Sequence, residues 1–164
     1  MFLLLRDLYR TRRQLALQRP KQPSSLAVRH VDAGSCNGCE HELGAAAGPH
    51  YDLARFGLSI VASPRHADVL LVTGPVTVHM RAALLAAYEA MPEPRIVAAL
   101  GNCALGRGIL AATDALAGPL EDLLPVTVRI AGCPPTPEQI ITGLEPLLHK
   151  AATTMAAATT FKTS

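Results

Sequence analysis

Residues 68–75 read Asp-Val-Leu-Leu-Val-Thr-Gly-Pro, and they contain an unbroken apolar run that stops at a Gly-Pro turn signal. The run lacks the alternation of apolar and polar residues that marks a strand with one face in water. A short continuous run bounded by turn residues is instead typical of a strand that is covered on both faces. We therefore predict a strand over residues 68–73.

Four other apolar segments follow this pattern, and each is followed by turn residues. They are Leu26–Val31, Gly57–Ala62, Arg95–Leu100 and Val126–Ile130. Most of these segments are also continuously apolar, and helical patterns lie between some of them. Strands that alternate with helices predict a mainly parallel sheet in an α/β domain.

Two helices can be predicted from their apolar spacing and their ends. The first is expected over residues 80–91, where apolar residues return at steps of three and four. The second begins with Thr136 as the N-cap and Pro137 as the first helical residue, and Gln139 completes a capping box. Pro146 is expected to kink or shorten this second helix.

The composition indicates one folded domain. The chain has 164 residues, of which 49% are hydrophobic and 17% are charged. A domain of this length buries about two thirds of the surface that its unfolded chain exposes, and the apolar content excludes an intrinsically disordered protein. No apolar run approaches the roughly 18–20 residues needed to cross a bilayer. We expect a soluble domain over residues 26–150 and a flexible tail over residues 151–164.

Residues 1–25 are predicted to form a basic arm and a linker. Residues 1–21 contain six basic residues and one acidic residue, whereas the rest of the chain contains nine basic and twelve acidic ones. Apolar residues near helical spacing predict an amphipathic helix on a membrane surface, on another subunit or on its own domain. The pair Arg12-Arg13 is not followed by the apolar stretch of an export signal, so we expect a chain that is not exported.

The four cysteines are predicted to form one metal site. Cys36 and Cys39 enclose an Asn-Gly turn, and Cys103 and Cys133 stand alone. Three of the loops that hold them directly follow a predicted strand, and the carboxyl ends of parallel strands gather at one edge of a sheet. Structural disulfides are disfavoured in a protein that is not exported.

The spacing of the cysteines favours an iron-sulfur cluster over zinc, which stays open as the alternative. A zinc site of four cysteines commonly pairs two Cys-x-x-Cys sequences, and this chain contains one. A cubane [4Fe-4S] cluster accommodates one such pair and two distant single ligands.

Six short motifs together resemble those of a known family. They are Cys36-Asn-Gly-Cys-Glu-His-Glu42, Pro64–Val69, Thr73–Thr77, Met91–Arg95, Gly101–Ala104 and Gly132–Pro137. In this order they are similar to the family that joins the 20 kDa subunit of respiratory complex I to the small subunits of [NiFe] hydrogenases. The resemblance covers residues 26–148. It implies a flavodoxin-like three-layer fold and one [4Fe-4S] cluster, with Cys36, Cys39, Cys103 and Cys133 as its ligands.

The first motif distinguishes two branches of this family. Complex I subunits carry two adjacent cysteines there, whereas hydrogenase small subunits carry a Cys-x-x-Cys sequence like that of Cys36 and Cys39. The chain also lacks the additional cysteines that bind further clusters in larger periplasmic small subunits. It therefore resembles most closely the small subunits of membrane-bound, energy-converting (group 4, formate hydrogenlyase-like) hydrogenases.

This resemblance implies an electron-transfer subunit of an oxidoreductase complex. Its partners would be a hydrogenase-like large subunit with the nickel-iron site, and a ferredoxin-like iron-sulfur subunit. Residues 1–20 would contact a membrane-embedded subunit or the membrane surface, on the cytoplasmic face of the inner membrane, and no nucleic-acid partner is expected. Two alternatives stay open, which are a 20 kDa subunit of a quinone-reducing, complex I-type assembly and a zinc-binding or scaffold relative without hydrogenase activity.

Several charged residues near the motifs are further candidates. By the resemblance, Glu42 is expected to transfer protons near the metal site, with a helix-start acid as the alternative, and Glu40 is assigned to that second role. His41 is expected to pack at an interface. Arg65 and His66 are expected to orient the backbone or contact the large subunit, and Arg65 is also a candidate to bring positive charge near the cluster.

The remaining histidines show no metal-ligand spacing. They are His30, His50, His79 and His149. We expect them to be surface residues or to have their hydrogen bonds satisfied within the domain.

Overall fold

The computed structural model describes residues 25–109 and 113–159, and for residues 149–159 it describes the backbone alone. The predicted basic arm, apart from Ser25, lies outside the described residues. Residues 160–164 of the predicted tail also lie outside them.

The core of the fold is a parallel sheet of five strands. Seven strands occur along the described part of the chain: β1 (Leu26–Asp32), β2 (Leu58–Ile60), β3 (Val69–Thr73), β4 (Val76–Thr77), β5 (Ile96–Leu100), β6 (Leu116–Gly118) and β7 (Val126–Ile130). The large sheet has the order β2-β1-β3-β5-β7, and all its neighbouring strands are parallel. Counted within that sheet alone, this is the order 2-1-3-4-5 of the flavodoxin-like fold. The predicted fold class is confirmed.

The central strand β3 accounts for the unbroken apolar run at residues 68–75. All five of its residues are buried, because β1 and β5 flank it and helices cover both faces. Strand β7, at the edge of the sheet, instead alternates between exposed residues such as Thr127 and more buried ones such as Val128. The apolar pattern therefore follows the position of each strand in the sheet.

Helices form the outer two layers. They are α1 (Gly38–Ala47), α2 (Arg81–Glu89), α3 (Leu120–Leu123) and α4 (Pro137–Thr159). Leu43 of α1 and Leu144 of α4 pack against Leu71 on one face of the sheet. Leu84 of α2 and Leu120 of α3 share the core on the other face. The domain therefore has three layers.

The start of α4 confirms the predicted capping box. The backbone N–H of Thr136 donates to Gln139 Oε1 at 2.9 Å, and the backbone N–H of Gln139 donates to Thr136 Oγ1 at 3.3 Å. The helix contains Pro146 and continues to Thr159, so this proline does not shorten it. The helix backbone thus extends into residues 151–159, and a flexible tail there stays a prediction.

Within the described residues, no helix combines the length and the apolar character that a membrane span requires.

Candidate metal centre

Three of the four cysteines follow strands at the same edge of the sheet, as predicted. Cys36 lies after β1, Cys103 after β5 and Cys133 after β7. Cys39 does not lie in a loop, because helix α1 already begins at Gly38 and includes it in the first turn. The partial positive charge of a helix N-terminus favours a thiolate at that place.

Backbone hydrogen bonds join the loops that hold Cys103 and Cys133. The N–H of Gly101 donates to the carbonyl oxygen of Ile130 at 2.8 Å, and the N–H of Asn102 donates to that of Gly132 at the same distance. In return, the N–H of Gly132 donates to Asn102 Oδ1 at 3.0 Å. These hydrogen bonds fix the position of the loop that holds Cys103 relative to the loop that holds Cys133.

Helix α1 brings Cys39 to these two loops. Strand β3 separates β1 from β5, so the register of the sheet alone would leave the ends of β1 and β5 two strand spacings apart. A Cβ atom built on Gly101 would lie 2.6 Å from Cys39 Sγ and 3.6 Å from the carbonyl oxygen of Gly132. The Cys39 thiol therefore lies against the loop after β5 and beside the loop after β7.

Cys36 lies close to the loop after β7, which holds Cys133. A Cβ atom built on Gly38 would lie 3.6 Å from Cys36 Sγ and 3.8 Å from both Cβ and Cγ of Pro134. Since Pro134 directly follows Cys133, the first and last motifs meet here. Cys36 and Cys133 are exposed, whereas Cys39 and Cys103 are partly buried.

The electrostatics of Cys39 agree with a position near the other three thiols. Burial raises the pKa of Cys39 to about 12, and Glu40, Cys103, Cys36 and Cys133 contribute to this rise in that order. Each of the other three cysteines is therefore near enough to oppose a negative charge on Cys39. A bound cation would instead lower the pKa of Cys39, because thiols lose their protons when they coordinate a metal.

Four converging thiols fit a thiophilic metal centre. Cysteine thiolates are the ligands that zinc and iron-sulfur clusters select. Among the described residues, no group of three or more His, Cys, Asp or Glu side chains has the close arrangement that would hold a single metal ion. By its chemistry, a set of four cysteines is compatible with zinc and with an iron-sulfur cluster.

Asp32 and Ser35 fix the turn that leads into Cys36. The backbone N–H groups of Gly34 and Ser35 donate to Asp32 Oδ1 at 2.8 and 2.7 Å. Burial acts to raise the pKa of Asp32, but these two hydrogen bonds, together with the Ser35 hydroxyl and His30, outweigh it and the pKa is lowered. The Ser35 hydroxyl accepts the backbone N–H of Asn37 at 3.0 Å, which continues the turn toward α1.

The structure also reveals a polar contact that sequence reasoning missed. Glu40 lies in the first turn of α1, as assigned, but its side chain is only 16% exposed. The Ser35 hydroxyl donates to Glu40 Oε2 at 2.6 Å, and His30 Nε2 lies 3.5 Å from Glu40 Oε1. Side chains of strand β1, of the loop that leads to Cys36 and of helix α1 thus meet at the carboxylate of Glu40. Glu42 is partly buried two residues further along α1.

His30 has a hydrogen bond within the domain, as expected. Its Nε2 lies 2.9 Å from the hydroxyl of Thr73, which is fully buried at the end of β3. Burial lowers the pKa of His30, and this effect exceeds the opposing effect of Glu40. The imidazole is therefore neutral at neutral pH.

The structure corrects one expectation about charge near the metal centre. Arg65 and His66 lie in a short 3₁₀ turn that precedes β3. They therefore lie at the edge of the sheet opposite the cysteines, and the suggestion that Arg65 brings positive charge near a cluster is wrong. The length of β3 separates the two edges.

The other histidines agree with surface roles where they are described. His41 is exposed and lies with its Nε2 3.3 Å from Asn37 Nδ2. His50 and His79 are also exposed. The side chain of His149 lies outside the described part of the chain.

Residues 36–147 match the family described as NADH ubiquinone oxidoreductase, 20 Kd subunit. The chain is 47% identical over 125 residues to the probable membrane-bound hydrogenase subunit mbhJ of Pyrococcus furiosus, and the match covers 76% of this chain and 75% of that protein. It is 44% identical over 119 residues to formate hydrogenlyase subunit 7 of Escherichia coli K12, and here the match covers 73% of this chain and 47% of the relative.

A solved structure supports the same relationship. The chain is similar to one chain in the structure of the membrane-bound sulfane sulfur reductase, an archaeal respiratory membrane complex. The TM-score is 0.67 and the identity is 34%, and the match covers 78% of this chain and 71% of that one. The resemblance seen in the motifs is therefore confirmed. The chain belongs to the family of the 20 kDa subunit of NADH-ubiquinone oxidoreductase, whose members include subunits of hydrogenase-type and complex I-type oxidoreductase assemblies.

Proposed function

We propose that the chain is the electron-transfer small subunit of a membrane-associated [NiFe] hydrogenase complex. In this proposal it carries the proximal [4Fe-4S] cluster between the active site of a large subunit and a ferredoxin-like subunit. The observation that carries the proposal is that the ends of three strands and the start of helix α1 bring four cysteines to one edge of a flavodoxin-like sheet. The identity of 47% to a probable hydrogenase subunit supports the choice of complex.

The chain's own residues would bind and orient the cluster. When bound, a cubane cluster accepts and releases one electron at a potential set by its surroundings. Cys36, Cys39, Cys103 and Cys133 would hold it, and the bonded loops after β5 and β7 would keep two of these ligands in place. The absence of a side chain at Gly101 leaves room for Cys39 Sγ.

The proposed partners follow from exposure and charge. Cys36 and Cys133 are exposed at the cysteine edge, so this edge would face the large subunit. The basic residues 1–20 would attach the complex to a membrane-embedded subunit or to anionic lipid on the cytoplasmic face of the inner membrane. Each basic residue near such a surface contributes about 1 kcal/mol, which gives reversible attachment.

A second candidate is an assembly of the same architecture that reduces sulfur. Similarity at 34% identity to a chain of the membrane-bound sulfane sulfur reductase complex favours it. In that case the chain would still relay electrons through its cluster, but the large subunit would not react with hydrogen.

The test uses the purified complex that contains the full chain. We expect an electron paramagnetic resonance signal of a reduced cubane assigned to this subunit, iron without stoichiometric zinc, and hydrogen-dependent reduction of a low-potential acceptor. Stoichiometric zinc with no cubane signal would contradict the cluster. A cubane signal with sulfane-sulfur reduction and no reaction with hydrogen would support the second candidate instead.

Replacement of Glu42 by Gln is expected to slow hydrogen turnover and to leave the cluster intact. Glu42 is partly buried near the first motif, where a carboxylate can pass protons between a metal site and solvent. Loss of such a proton carrier typically lowers rates by about 10²–10⁴-fold. Turnover and the cubane signal should be measured together, with Glu89→Gln at the end of α2 as the control. Turnover of Glu42→Gln equal to that of Glu89→Gln would exclude the proton role.

A further inference from the structure

Glu40 is a partly buried carboxylate directly beside a proposed cluster ligand. It follows Cys39 in the first turn of α1, and its side chain is 16% exposed. Its Oε1 atom is inaccessible to solvent and accepts no hydrogen bond from the described residues. The nearest polar group to this oxygen is His30 Nε2 at 3.5 Å, so the carboxylate is only weakly compensated for its loss of water.

The position of the carboxylate is fixed by the cysteine loop itself. Ser35 donates its hydroxyl proton to Glu40 Oε2 at 2.6 Å and accepts the N–H of Asn37 at 3.0 Å. Ser35 immediately precedes Cys36, so one hydrogen bond connects the residues next to Cys36 and Cys39. The carboxylate therefore keeps a defined place relative to both thiols of the first motif.

No arginine or lysine of the described residues forms an ion pair with Glu40, although Arg29 lies near enough to His30 to lower the pKa of that histidine. Among the described residues, the ion pairs formed by arginines use Glu93 and Glu121, and the group that faces Glu40 is His30 at 3.5 Å. His30 Nε2 makes its shorter contact with Thr73 Oγ1, at 2.9 Å. Burial lowers the pKa of His30, so the imidazole is neutral at neutral pH and leaves one net negative charge in the pair.

We infer that Glu40 sets the reduction potential of the metal centre, because its partly buried negative charge beside Cys39 opposes the electron that reduction adds. The inference rests on the proposed function, since it requires a cluster on these cysteines. Glu40 directly follows Cys39 in the chain, and the hydrogen bond from Ser35 to its Oε2 atom at 2.6 Å holds the carboxylate beside the first motif. A charge that opposes a thiolate also opposes an additional electron on the cluster that this thiolate binds.

The test is a redox titration of the proximal cubane in the purified complex, followed by electron paramagnetic resonance. Glu40→Gln keeps the shape and an acceptor for Ser35 but removes the charge. We expect the midpoint potential to rise by about 59 mV, which corresponds to a tenfold change in a one-electron equilibrium. Glu40→Asp keeps the charge and should remain near the native potential.

Glu138→Gln is the matched control for charge elsewhere. Glu138 lies exposed in the first turn of α4, five residues after Cys133, so its removal subtracts the same charge from solvent-screened surroundings. The midpoint potential should shift clearly less in Glu138→Gln than in Glu40→Gln. Equal shifts for the two variants would show that only total charge matters and would overturn the inference.

Other outcomes separate this inference from the proposed function. A native complex without a cubane signal contradicts the proposed function itself, whereas an intact cubane whose potential does not move in Glu40→Gln contradicts the role of Glu40 alone. If Glu40→Gln fails to assemble, Ser35→Ala provides the answer, because it removes the donor and leaves the charge. Its potential should be at or below the native value, and a rise would overturn the inference.

Discussion

Replacement of Cys39 by Ser is expected to abolish the cubane signal of this subunit and the electron transfer that depends on it. Cys39 Sγ lies against Gly101 and near the loop after β7, so it connects the first motif to the two single cysteines. A serine hydroxyl at that place would be a much poorer ligand, because clusters of this kind are held by thiolates. The measurements are iron per complex, the reduced cubane signal and hydrogen-dependent reduction of an acceptor.

The control for this prediction introduces serine elsewhere on the same helix. Ala45 of α1 is exposed, so Ala45→Ser adds a hydroxyl without touching the cysteines. Its iron content and signal should match those of the native complex. A Cys39→Ser complex with an undiminished cubane signal would mean that the cluster is held by a different set of ligands.

The fold follows from the sequence wherever local signals are strong. The continuous apolar run of β3 and the capping box of Thr136 and Gln139 are both observed, because they depend on burial of both faces and on hydrogen bonds between neighbours in the chain. The antiparallel pair of β4 and β6 was not predicted, because strands of two and three residues are too short to show an alternation of apolar and polar residues. Helix α1 was also missed as a full element, because it buries only Leu43 and Ala46 and so has a narrow apolar face.

The grouping of four cysteines at one edge of the sheet was predictable, but the contacts around them were not. The motifs identify the four cysteines, and strand ends explain why three of them share an edge. The contact between Gly101 and Cys39 joins residues far apart in the chain, so no local pattern indicates it. The contacts of Glu40 with Ser35 and His30 likewise depend on how α1 packs over β1. Its position at a helix start is visible in the sequence, but its burial is not.

Replacement of Gly101 by Ala is expected to lower the stability of the domain and to disturb the metal centre. Gly101 has φ of +87°, a conformation that costs other residues roughly 1–2 kcal/mol, and a Cβ atom there would lie 2.6 Å from Cys39 Sγ. Gly101→Ala must therefore displace either the thiol or the loop that is bonded to Ile130 and Gly132. We expect the free energy of unfolding to fall by at least about 1–2 kcal/mol and the cubane signal to be lost or strongly reduced.

The matched control is the same substitution at Gly44 in the interior of α1. A Cβ atom on Gly44 would have no neighbour within 4 Å, and alanine in a helix is more stable than glycine by roughly 0.5–1 kcal/mol. Gly44→Ala should therefore raise the free energy of unfolding and leave the cubane unchanged, which is the opposite sign for the same added methyl group. Denaturant unfolding and the cubane signal of both variants test this contrast. A Gly101→Ala complex with native stability and a native signal would show that the thiol of Cys39 does not need the space that glycine leaves, and the proposed packing of the cluster ligands against the β5 loop would have to be abandoned.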